Sequence, residues 1–191
     1  LALLPQQYRG DVDAVEAELD GIIGLDEIKS YVRDIAKNVQ AQQRRKAQGL
    51  KVAEVNMHMI FTGNPGTGKT TTVNAILSLY EALYDRVALC APTGRAAKRL
   101  SELTNHAAST IHRLLEVDYS SGSVRFIHNE KNLLKYDVII LDEMSMVDVK
   151  LFQALVTALR YSCRIIMVGD ADQLPSVGPG NILGEILKAG V

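Results

Sequence analysis

The chain has 191 residues, 47% of them hydrophobic, which fits one globular domain with a sizeable core. Its 21 Lys and Arg against 22 Asp and Glu leave a formal charge of -1, excluding a global basic field, so any nucleic-acid contact must come from a local patch. No apolar run approaches the roughly 18–20 residues of a membrane span, and Leu1-Ala2-Leu3-Leu4-Pro5 is too short for a signal peptide; the expected compartment is the cytoplasm, with no membrane partner.

In chain order, Asp11 is placed to cap a helix carrying Val12, Val15 and Leu19, which Gly21 stops. A longer helix is predicted from Asp26 to about Gln48, where Ile28, Tyr31, Val32, Ile35 and Val39 recur at helical spacing and Gly49 ends the segment. Its basic tail, Arg44, Arg45 and Lys46, reads as a solvated helix end complementing the macrodipole, or as a contact for phosphates or a partner.

Strands and helices then alternate. Apolar runs at Met57 to Thr62, Val87 to Ala91, Val138 to Leu141 and Arg164 to Val168 suit a parallel sheet buried on both faces. Amphipathic segments lie between them: Val73, Ile76, Leu77, Tyr80 and Leu83 after the first run, and Val149, Phe152, Leu155, Val156 and Leu159 after the third. The expected class is α/β with helices on both faces of the sheet. The stretch from Tyr119 to Phe126 breaks the alternation with a Gly-containing turn and reads as a hairpin or surface excursion. Cys90 and Cys163 sit in apolar runs without metal or disulfide spacing and read as reduced core residues.

Directly after the first strand, Gly63-Asn64-Pro65-Gly66-Thr67-Gly68-Lys69-Thr70 satisfies the P-loop pattern, and a helical segment follows. Glycines let successive N–H groups turn toward phosphates, and the helix start adds partial positive charge. In this reading Lys69 neutralises the β- and γ-phosphates of ATP, the Thr70 hydroxyl ligates Mg²⁺, and Thr71 lies near the α-phosphate. Asp142 and Glu143 end a buried strand, where open α/β sheets place ligands. Asp142 would hold Mg²⁺, directly or through water, while Glu143 orients and deprotonates the attacking water. The fourth strand ends in Gly169-Asp170-Ala171-Asp172-Gln173, where Gln173 either senses the γ-phosphate or belongs to an ordinary Asx-type turn. These motifs specify a three-layer P-loop NTPase fold, a mainly parallel sheet flanked by helices. It spans residues 1–191 as a single domain, with a helical leader over 1–56 and a nucleotide-binding core over 57–191.

From about Thr70 onward the chain resembles the first motor domain of RecD-type superfamily 1 helicases. The resemblance rests on Leu89-Cys-Ala-Pro-Thr-Gly-Arg-Ala-Ala-Lys-Arg99, Ala108-Ser-Thr-Ile-His-Arg-Leu-Leu115, Leu141-Asp-Glu-Met-Ser145 and Gly169-Asp-Ala-Asp-Gln-Leu-Pro-Ser-Val-Gly-Pro-Gly180. It implies that Gln173 is a γ-phosphate sensor and that Pro92, Thr93, Arg95, Lys98, Arg99, Thr110, His112 and Arg113 meet single-stranded DNA. Arg95, Lys98 and Arg99 also read as solvated helix charges, and His112 as a structural residue. In strand order the resemblance implies Val87, Val138, Arg164, Met57 across the sheet, leaving the P-loop strand at an edge open to pairing by a second copy.

Residues from about Leu19 to Thr71 instead resemble AAA+ ATPases of the CbxX and SpoVK group. The pieces are Leu19-Asp-Gly-Ile-Ile-Gly-Leu-Asp-Glu-Ile-Lys29, Arg44-Arg-Lys-Ala-Gln-Gly-Leu50 and His58 to Thr70. That likeness implies an adenine pocket at Ile23, Gly24 and Leu25, and hence ATP or ADP as the ligand. Together the two likenesses suggest a chimera joined near the P-loop. The helicase likeness further implies a second motor domain carrying an arginine finger, without which turnover is expected to be slow and unwinding by this chain alone is not expected. A nucleotide-binding module without useful turnover and an AAA+-type oligomeric ATPase are the alternative readings.

Overall fold

A computed structural model describes residues 58–63, 69–83, 86–118, 125–170 and 181–189, with scattered positions between 17 and 50. The chain divides into two compact units, residues 1–55 with 70–85 and residues 56–69 with 86–191.

In the first unit every described position from 29 to 47 is helical. The N–H groups of Gln48 and Leu50 bond back to the carbonyls of Arg44 and Arg45 at 3.1 and 3.0 Å, and Gly49 has φ of 70°. Gly49 therefore ends the predicted helix by taking the left-handed conformation that other residues resist. Helix α1 (Lys69–Leu83) continues from Thr70 in this unit. The predicted stripe of Val73, Ile76, Leu77 and Tyr80 is buried, and so are Thr72, Ala75 and Leu79, so burial extends round more of the helix than the stripe implied.

The second unit runs β1 (Met59–Thr62), β2 (Val87–Ala91), α2 (Gly94–Thr104), β3 (Ala108–Thr110), α3 (Ile111–Leu115), β4 (Val117–Asp118) and β5 (Arg125–Phe126). It continues with β6 (Val138–Leu141), a 3-10 turn (Met144–Met146), α4 (Val149–Thr157), β7 (Arg164–Gly169) and α5 (Ile182–Ala189). Five described strands pair in parallel in the order β1-β7-β6-β2-β3. The expected order of the four apolar runs is the order observed. β3 is an addition at the β2 edge: its half-buried Ala-Ser-Thr carries no apolar run, so hydrophobic patterning could not mark it. Among the described residues β1 pairs with β7 alone, which leaves it at the other edge.

Both faces of the central strands are buried. Ala88, Ile139 and Ile165 stand in register, as do Cys90, Leu141 and Met167. This face joins Ile111, Leu115, Leu151, Leu155 and Leu183 from α3, α4 and α5 in one core. The alternate residues Leu89, Ile140, Ile166 and Val168 are buried on the other face, as the period of two requires. Cys90 and Cys163 are free and buried, as expected.

One expectation needs correcting in α4. Its inward residues are Leu151, Leu155 and, just past its end, Ala158, while Val149 and Val156 are each 45% exposed. The predicted Phe152, Leu155 and Leu159 do pack on the core, while Leu151 turns inward in place of Val149 and Val156; the Asp148 side chain caps the helix start, accepting from Leu151 N–H at 2.9 Å. The predicted excursion is a hairpin, with Val117 opposite Phe126 and Asp118 opposite Arg125; residues 119–124 lie outside the described residues. Among the described residues no helix is long and apolar enough to cross a membrane.

Candidate active site

Parallel pairing brings the ends of five strands to one edge of the sheet. Thr62 of β1 is in register with Gly169 of β7, Met167 with Leu141 of β6, Leu141 with Cys90 of β2, and Ala91 with Thr110 of β3. The residues that follow, Gly63, Asp170, Asp142 and Pro92, therefore line the carboxyl edge with Thr110. Residues picked out from separate sequence motifs thus share one edge, the position at which open α/β sheets bind ligands.

Asp142 N–H donates to the Cys90 carbonyl at 2.9 Å, so the β6–β2 ladder fixes the backbone that carries its carboxylate. Burial pushes the Cys90 thiol up to about 12, with the negative charge of Asp142 as a second cause. The Asp142 charge therefore lies close to a thiol that stays protonated.

Glu143 adopts φ 54° and ψ 43°, the left-handed region that costs a residue with a Cβ about 1–2 kcal/mol. Its carbonyl accepts from Met146 N–H at 3.0 Å, which begins the 3-10 turn, and its side chain is half-buried. Such a non-glycine outlier beside an acidic residue at a strand end is the kind of strain that clusters at functional sites.

Between the P-loop strand and the acidic strand lies β7. The N–H of Gly63 donates to the Gly169 carbonyl at 3.3 Å, carrying the β1–β7 pairing one residue past β1. Gly169 is closely packed: a Cβ there would stand 2.8 Å from Leu183 Cδ2 and 3.2 Å from Met144 Cβ. Sequence reading gave Asp170 no role, yet it is only 2% exposed at this edge between Gly63 and Asp142. Its place at the end of a fully buried strand was the available signal.

The predicted DNA-contact residues divide by structure. Thr93 caps α2, accepting from Ala96 N–H at 3.2 Å, and Thr110 caps α3, accepting from Arg113 N–H at 3.1 Å. Each hydroxyl thus serves a helix start on neighbouring strands, and a Thr three residues ahead of a helical N–H is a signal the sequence carried. Arg95, Lys98 and Arg99 are exposed on α2, with Lys98 3.8 Å from Glu102. His112 is exposed, its ring 5.9 Å from that of Phe126 on the hairpin, so it also braces β5. Pro92 is half-buried just beyond β2.

Lys69 and Thr70 open α1, and Thr71 is exposed within it. The side chains of Lys69 and Thr70, and the residues Ile23, Gly24, Leu25, Asn64, Pro65, Gly66, Thr67, Gly68 and Gln173, lie outside what is described. Among the described residues no group of three or more His, Cys, Asp or Glu is placed to hold a metal. Mg²⁺ at a nucleotide site does not require one, since it typically takes one or two carboxylates, waters and the substrate's phosphates. The half-buried Asp142, a hard oxygen donor at the carboxyl edge, fits that demand.

A family profile described as "AAA domain" matches residues 44–179. The chain is 47% identical over 131 residues to an ATP-dependent RecD2 DNA helicase of Deinococcus radiodurans, covering 69% of this chain and 18% of that protein. It is 38% identical over 180 residues to the RecBCD enzyme subunit RecD of Mycolicibacterium smegmatis, covering 82% of this chain and 32% of that protein. Among solved structures it is similar to Bacteroides Pif1 bound to ssDNA, with a TM-score of 0.53 and 23% identity over 88% of this chain and 36% of that one. That likeness supports the fold. The chain thus spans a third or less of the length of these curated relatives. The profile runs across the P-loop and lends no support to a junction there, nor to a likeness of residues 19–71 to the CbxX and SpoVK group.

Proposed function

This chain belongs to the AAA domain family whose profile spans residues 44–179, and on that premise we propose that it is the nucleotide-binding motor domain of a RecD-like DNA helicase, binding ATP with Mg²⁺ and hydrolysing it. The observation that carries the reading is the alignment of Gly63, Asp170, Asp142 and Pro92 along the carboxyl edge, fixed by backbone pairing. The N–H groups of residues 63, 64 and 66–68 and the Lys69 ammonium cradle the phosphates. Asp142 and the Thr70 hydroxyl hold Mg²⁺, which when bound neutralises charge on the β- and γ-phosphates. Glu143 takes a proton from the water that attacks the γ-phosphorus, and Gln173 hydrogen-bonds the γ-phosphate so that its presence registers at the end of β7.

Ile23, Gly24 and Leu25 remain the proposed adenine contacts, within one domain made of the 1–56 leader and the 57–191 core. Single-stranded DNA meets Pro92, Thr93, Thr110 and His112 and the exposed Arg95, Lys98 and Arg99 of α2. The relatives' names support both ATP and DNA as ligands, and their greater length supports a second motor domain that closes over the nucleotide with an arginine finger. Without that domain turnover is slow. A chimeric origin, an AAA+ ring and pairing of copies through β1 have no support from the comparisons and form no part of the proposal.

The test is Mg·ATP binding and hydrolysis with and without a single-stranded oligodeoxynucleotide, in the parent and in Lys69→Ala. Loss of ATP binding in a folded Lys69→Ala protein, with DNA-stimulated turnover in the parent, supports the proposal. Unchanged ATP binding in Lys69→Ala would remove the phosphate-loop assignment.

A further inference from the structure

The strands begin, at the end of the sheet opposite Asp142, in a row of titratable residues. Arg86 precedes β2, Asp137 precedes β6, Arg164 opens β7 and His58 precedes β1. Backbone bonds hold the row together: Asp137 N–H donates to the Arg86 carbonyl and Arg164 N–H to the Asp137 carbonyl, both at 2.9 Å. Ile165 N–H donates to His58 Nδ1 at 3.1 Å. Arg160 closes over the row, donating from Nη2 to Asp137 Oδ1 at 2.8 Å and to the Tyr136 carbonyl at 2.9 Å.

Among the described ion pairs this edge carries more positive than negative charge. Arg86 reaches the same Asp137 carboxylate from Nε at 3.2 Å, so one carboxylate serves two guanidinium groups. Exposed Lys135 lies between Leu134, whose N–H bonds to Ala158, and Tyr136, which bonds to Arg160. Arg86 is 47% exposed and so retains donors toward solvent, while Arg160 is 31% exposed with its Nε buried. The local field is felt by His58, whose pKa is lowered by burial and then by Arg164. Next to Arg160, Tyr161 is 78% exposed, the most open large side chain among the described hydrophobics.

We propose that this amino edge is a second nucleic-acid contact, binding the phosphodiester backbone of a strand distinct from the one at the carboxyl edge, with Tyr161 stacking on a base. Forked guanidinium groups suit phosphate oxygens, and an exposed aromatic beside them distinguishes a nucleic-acid strand from free phosphate. The surface does not depend on ATP hydrolysis and lies at the other end of the strands from the nucleotide reading.

The test uses a protein in which Arg95, Lys98 and Arg99 are changed to Gln, isolating the amino edge, and a fluorescent oligodeoxynucleotide read by anisotropy across a salt series. Adding Lys135→Gln should flatten the slope of log affinity against log salt by about one. Adding Tyr161→Ala at an exposed position should weaken binding roughly fivefold or more. Oligonucleotide should raise the pKa of His58, followed by its ring resonance, and an equal concentration of inorganic phosphate should not displace it. Binding unaffected by Lys135→Gln and Tyr161→Ala, with an unmoved His58 resonance, would overturn the proposal. If the triple-Gln background binds as the parent does while Lys135→Gln and Tyr161→Ala still weaken it, the carboxyl-edge DNA reading fails and the amino-edge site stands.

Discussion

Gly63 and Gly169 are joined by a backbone hydrogen bond of 3.3 Å, from the first N–H beyond β1 to the last carbonyl of β7. The bond ties the residue that opens the P-loop motif to the strand that leads into Asp170, which lies next to the strand that leads into Asp142. The edge proposed to receive phosphates and the edge proposed to receive the metal are therefore one continuous backbone structure. Side chains there inherit their positions from the ladder.

Gly169 can hold that place because it has no side chain. A methyl added there would enter the space of Leu183 and crowd Met144, so Gly169→Ala should destabilise the protein by about 1–3 kcal/mol in urea denaturation. Leu183→Ala is itself destabilising, but in that background Gly169→Ala should cost less, because the shortest contact is to the far end of the Leu183 side chain. Additive effects of the two changes would show that the contact is not the cause.

Glu143 gives a different signature, since its backbone is strained while its carboxylate is the proposed base. Glu143→Gly should leave the fold intact and raise stability by up to about 1 kcal/mol by relieving the left-handed conformation, while hydrolysis is lost. A destabilised Glu143→Gly protein would mean that the side chain's packing outweighs the strain.

The hydrogen bond from Ile165 to His58 makes the β1–β7 edge sensitive to acid. Nδ1 accepts from the backbone N–H, so it must be unprotonated, and burial with Arg164 lowers its pKa in the folded state. With the folded pKa below the ordinary 6.5, this contribution is fully present above that value and is lost as pH falls below it. Denaturation midpoints at pH 7.5 and pH 5 should therefore fall further in the parent than in His58→Gln. An equal fall in both would exclude His58 as the source.

Much of this was legible in the sequence because β1, β2, β6 and β7 are short apolar runs and the P-loop motif has fixed spacing. Val87 to Ala91 and Val138 to Leu141 occupy the predicted limits. β3 was not legible, since Ala108, Ser109 and Thr110 are half-buried and gain strand geometry only by pairing with β2. The inward face of α4 was legible at Phe152, Leu155 and Leu159, which pack on the core, but Val149 and Val156, apolar and helically spaced, are exposed and Leu151 turns inward instead. Thr93 and Thr110 were read as ligand contacts, and their capping bonds show a local duty that a motif match does not reveal. The amino-edge charge cluster was invisible to motif reading because Arg86, Asp137, Arg160 and Arg164 meet only once the strands are parallel.

The most direct measurement is single-turnover hydrolysis of Mg·ATP by the parent and by Glu143→Gln, with ATP binding measured in both. The account predicts that both bind ATP with similar affinity and that hydrolysis falls in Glu143→Gln by about 10²–10⁴-fold. Equal rates in the two proteins would contradict the assignment of Glu143 as the group that activates water.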